Sequence, residues 1–145
     1  MQTAFHKTIE RAFREVAARY GFRVIPGGYD AAAFGNSLVV LESGDYSMRI
    51  VRDRGQVFVE IASPLDPGNW YGLGKVLAVV HGNTEDEVQY SGPINPDDAA
   101  SVIERHHAHF VERLGPECYE RTRVQLDQIG QSAKERLLGQ SQPGR

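Results

Sequence analysis

The chain has 145 residues, 41% of them hydrophobic and 24% charged, the proportions of one soluble globular domain rather than of a disordered or membrane-embedded chain. Its uninterrupted apolar runs, such as Leu38–Leu41 and Val76–Val80, fall far short of the roughly 20 residues that cross a bilayer. Net charge is −3 with a pI near 5.9, against the clustered Lys/Arg footprint of a nucleic-acid binder.

A chain of this length buries roughly 70% of the surface it exposes when unfolded, enough for one core without disulfides or metal. The expectation is therefore a single domain over residues 1–138, with residues 139–145 a disordered tail that has nothing to bury. The first residues enter an amphipathic pattern directly, without a secretory leader, and the single Cys118 has no partner within the chain. Both features point to a cytoplasmic protein.

From Thr3 to Tyr20, Phe5, Ile9, Ala12, Phe13, Val16, Ala17 and Tyr20 recur at three- and four-residue steps, the period of a helix with one buried stripe. Gly21 is placed to cap it in the left-handed conformation, and Phe22–Ile25 adds a short extended segment that Pro26-Gly27-Gly28 breaks. Three strands follow over Ser37–Ser43, Tyr46–Arg52 and Gln56–Ala62, each with apolar residues at alternate positions or in a short run. The links Ser43-Gly44-Asp45 and Asp53-Arg54-Gly55 put glycine where a hairpin needs positive φ.

Next, Asn69 is predicted to cap a helix from Trp70 to about His81. Residues 82–95 read as an acidic surface loop in which Val88 and Tyr90 offer a possible fourth strand. Asn95 and Pro96 start a helix that ends at Gly115-Pro116, and a last helix over Glu117–Leu138 carries the seam Tyr119, Thr122, Leu126, Ile129, Ala133 and Leu137, with Gly130 as a weak point. The fold class expected is α+β, a three-stranded or four-stranded antiparallel meander packed by an N-terminal helix and C-terminal helices.

Among residues that bear chemistry, His106, His109 and Glu112 share one side of a helix and offer two imidazoles and a carboxylate. Their spacing differs from the metalloprotease helix, which sets two histidines four apart, and a half-buried structural histidine is the commoner fate of such positions. No metal and no cofactor is expected. Cys118 has no base beside it in sequence, and neither glycine-rich phosphate motif is present. Arg49, Arg52 and Arg54 alternate with Asp53 and Glu60 in the manner of cross-strand ion pairs.

Trp70 and Tyr71 follow the flexible Pro67-Gly68 loop and serve either as core or lid packing or as interface anchors. The acidic run Glu85-Asp86-Glu87 suits steering of a basic partner. Together these five residues form the expected partner-binding set.

Phe34-Gly35-Asn36 followed by LVVLES, then YSMRIVRDRGQVFVEIAS and WYGLGKVLAVV, resembles the layout of small bacterial immunity proteins found beside polymorphic toxins. The likeness spans roughly residues 34–80 and implies a binding role, occlusion of a toxin's active surface, with no catalytic residues to carry over. The reading is thus a non-enzymatic protein-binding domain, with toxin neutralisation as its most specific form. Two alternatives stand beside it: a metal-dependent or small-molecule enzyme at His106, His109 and Glu112, and a homo-oligomeric accessory protein, a homodimer through the last helix.

Overall fold

The computed structural model describes residues 4–30, 36–82 and 89–140, with side chains described outside 26–30, 36 and 131–140. Two N-terminal helices, α1 (Ala4–Ala12) and α2 (Arg14–Tyr20), precede four strands, β1 (Arg23–Asp30), β2 (Asn36–Glu42), β3 (Ser47–Asp53) and β4 (Gln56–Ala62). A two-residue strand β5 (Tyr71–Gly72) leads into α3 (Leu73–His81), and the chain continues as α4 (Pro96–Arg113) and α5 (Tyr119–Gln140).

The class is α+β, as expected, but the sheet has five antiparallel strands in the order β1-β2-β3-β4-β5, not three or four. The extra strands come from places where pairing overrides local signals. β1 runs straight through Pro26-Gly27-Gly28, absorbing them as a register shift between Pro26 and Gly28, which is tolerated because β1 is an edge strand. β5 forms because Tyr71 and Gly72 pair with Ile61 and Glu60. The candidate fourth strand at Val88 lies outside the described residues, and Tyr90 is helical.

The single N-terminal helix expected is two helices meeting at Phe13, whose φ of −99° and ψ of 9° leave the helical region. The ladder survives the break, with Phe13 N–H bonded to Ile9 C=O at 2.9 Å and Ala17 N–H to Phe13 C=O at 2.8 Å. The fully buried Phe13 ring therefore reaches the core without ending the turn. Gly21 does close α2 in the left-handed conformation, φ 75°.

The two hairpins differ from each other. At β3–β4, Arg54 and Gly55 both have positive φ, 54° and 82°, the arrangement of a type I′ turn. At β2–β3, Gly44 is not in the positive-φ region. The turn is instead closed by the Ser43 hydroxyl, which donates to Tyr46 C=O at 2.9 Å and accepts from Asp45 N–H at 3.2 Å.

One face of the sheet, with Val39, Leu41, Met48, Ile50, Val59 and Ile61, is buried under side chains from every helix, including Ile9, Phe13, Leu77, Ile103, Phe110 and Leu126. Asn95 caps α4 by accepting from Asp97 N–H at 2.8 Å. α5 is continuous through Gly130. Among the described residues, no helix is long and apolar enough to cross a membrane.

Candidate functional site

Strand alternation leaves the second face of the sheet with its own pattern. Leu38, Val51 and Phe58 stand in one cross-strand row and Val40, Arg49 and Glu60 in the next, and all six are only half-buried. Arg49 holds Glu60 through two contacts to one carboxylate oxygen, from Nε at 2.8 Å and Nη2 at 2.7 Å. Trp70 lies over this pair, its ring centroid 4.8 Å from the Arg49 guanidinium carbon, close enough for a cation–π contact.

Tyr71, one residue on, belongs to the other face: it pairs with Ile61 and packs against the core. Its hydroxyl donates to Asp127 at 3.0 Å and accepts from Asn69 Nδ2 at 2.9 Å. Burial pushes the phenol's pKa up, and the Asp127 bond adds to that. Asn69, expected to cap a helix at Trp70, spends its amide here and on Asp66 at 2.9 Å, so α3 begins three residues late, at Leu73. Asp66 in turn accepts from the Tyr119 hydroxyl at 2.6 Å, which with the Asn69 bond holds its carboxyl below the usual range. The loop that presents Trp70 is therefore tied to α5 at two tyrosines.

Between β4 and the segment Tyr90–Gly92 a cavity of about 380 Å³ opens, with Val51, Phe58, Tyr90, Asp53 and Glu60 among its lining residues. Phe58 and this cavity were not singled out by sequence. The signal available was that the strand alternation puts apolar Leu38, Val51 and Phe58 on the face opposite the core. Glu85, Asp86 and Glu87 lie outside the described residues, four residues or less upstream of Gln89 in the sequence.

The histidines are distributed differently from expectation. His106 and His109 do come together on α4, but the third member of the cluster is His81, the last residue of α3, and not Glu112. One ligand atom from each of the three imidazoles lies within 4.8 Å of the others. The His81 ring meets that of His106 nearly perpendicularly, with centroids 4.1 Å apart, and that of His109 at 5.5 Å. His106 is 8% exposed, while His81 and His109 are exposed.

His107 turns the other way, stacked on Tyr20 at 3.5 Å between centroids. Cys118 is half-buried in the turn before α5. On that last helix Tyr119, Thr122 and Leu126 are buried within this chain's own core, and the side chains of Ala133 and Leu137 lie outside the described residues.

Comparison with known protein families, with curated proteins and with solved structures finds no match to this chain.

Proposed function

We propose that the protein is a non-enzymatic binding domain that docks a basic segment of another protein on the second face of its sheet. The observation that carries this reading is the cavity beside Phe58, which apolar Val51 and Phe58 line together with two acidic residues, Asp53 and Glu60, all four half-buried. Such a site suits an arginine or lysine, whose apolar stem packs on Val51 and Phe58 while its head meets Asp53 and the carboxylate of Glu60, which Arg49 already engages through one oxygen. Trp70, on the same face, supplies an aromatic anchor of the kind that dominates binding energy. The acidic run Glu85-Asp86-Glu87, close in sequence to Tyr90 at the cavity, adds long-range attraction for a cationic partner. Neutralisation of a toxin domain is the most specific form of this reading, supported by the layout resemblance over residues 34–80.

The test is a calorimetric titration of the full chain with an arginine-rich peptide and with a glutamate-rich peptide of equal length. The reading expects binding of the basic peptide only, weakening with salt, and a loss of about tenfold or more in Phe58→Ser and in Glu60→Gln, both of which keep the folded circular dichroism of the wild type. Equal binding of both peptides, no binding of either, or affinity untouched by the two substitutions would overturn it.

A further inference from the structure

We propose that His81, His106 and His109 form a three-histidine site for a borderline divalent transition ion of the Zn²⁺ class, at the junction of α3 and α4. Imidazole is the nitrogen ligand such ions favour, and three of them converge from two helices: His106 and His109 one turn apart on α4, and His81 from the end of α3.

The distances suit the ion's size. A tetrahedral centre with metal–nitrogen bonds near 2.0–2.1 Å sets its ligand atoms about 3.4 Å apart, and the three imidazoles already bring theirs within 4.8 Å. The remaining gap is of a size that rotation of the exposed His81 and His109 side chains about χ1 and χ2 addresses, around the packed His106 ring. Because two of the three ligands are exposed, the fourth coordination position faces solvent and takes a water molecule.

One further feature favours a cation there. The site sits at the carboxyl end of α3, closed by Gly82 at φ 67°, where the helix's unpaired carbonyls carry partial negative charge. Glu112, exposed on α4, is outside the ligand set.

The experiment is calorimetric titration of the chelator-treated full chain with ZnCl₂, repeated with Co²⁺ to read the visible d–d bands of a tetrahedral site. The expected result is one Zn²⁺ per chain, a rise in melting temperature with added Zn²⁺, and an affinity loss of at least about 100-fold in both His81→Ala and His109→Ala. The two exposed positions are chosen so that the apo fold survives, which is checked by circular dichroism; Glu112→Gln keeps wild-type affinity. Absence of one-to-one binding by the wild-type chain, or wild-type affinity in His81→Ala, would overturn the assignment.

Discussion

The hydroxyl of Tyr46 lies 2.7 Å from Nδ1 of His107, joining the start of β3 to the middle of α4. Burial raises the phenol's pKa far above its ordinary value and lowers that of the imidazole from 6.5, against a smaller opposing pull from Asp45. Both groups are therefore neutral at pH 7.

That pair sets an acid sensitivity. In the window between the lowered folded pKa of His107 and the 6.5 of the unfolded chain, the unfolded state binds more protons, so stability falls as the pH drops through it. The contribution is complete above the unfolded value. His107 ring resonances followed by NMR are expected to titrate below 6.5, and His107→Gln is expected to flatten the decline of melting temperature on that acid side. A titration midpoint above the free value contradicts this.

Ser63, 2% exposed, donates to the carbonyl of Leu114 at 2.7 Å and accepts from Leu65 N–H at 3.1 Å. Ser63→Ala removes the partner of a carbonyl at the end of α4 and is expected to cost about 1–3 kcal/mol. Thermal denaturation should show a fall of several degrees, with no change in the circular dichroism of the folded state.

The seam of α5 lies inside the chain's own core at Leu126, 1% exposed. Leu126→Asp is therefore expected to abolish cooperative melting, whereas Val124→Asp, at an exposed position on the same helix, leaves the melting curve within about 0.5 kcal/mol of the wild type. A soluble, folded Leu126→Asp monomer would show instead that the residue serves contact between copies.

Arg54 holds φ at 54° in the β3–β4 turn, a conformation that asparagine adopts at lower cost. Arg54→Asn is expected to raise stability by about 0.5–1 kcal/mol, read as a shift in the denaturant midpoint at constant slope. The 3.9 Å contact with Asp53 is exposed and offsets little of that gain.

Trp70 is the chain's single tryptophan, so its fluorescence reports on the second sheet face without ambiguity. With the ring half-buried over Arg49, Arg49→Ala is expected to shift its emission to longer wavelength and to raise acrylamide quenching. Unchanged emission would show that the guanidinium does not shield the ring.

Much of this architecture was legible from periodicity alone. Val57, Val59 and Ile61 alternate with Phe58 and Glu60, which announces β4 and its two faces, and Asn95-Pro96 starts α4 where capping chemistry says it should. What escaped was decided by partners distant in sequence. Pro26 breaks a strand locally, yet Val39 opposite it completes β1. Asn69 looks like a helix cap until Asp66 and Tyr71 claim its amide. His81 meets His106 only because α3 and α4 pack together, a contact that spacing along one helix cannot reveal.

The edges of the sheet decide how any protein can read it. At one edge, β1 carries Pro26, which has no N–H to give, and the register slip beside it. At the other, β4 is occupied by Tyr71–Gly72 and by Ile94, whose N–H bonds Val57 C=O at 2.9 Å. Neither margin offers a long, regular ladder to an incoming strand. Under the binding role proposed above, recognition would thus fall to outward side chains such as Arg49, Phe58 and Trp70, which take no part in the buried face. Their identities can drift through substitution while the backbone stays put, so the chemistry of this outer face can change without the scaffold being refolded.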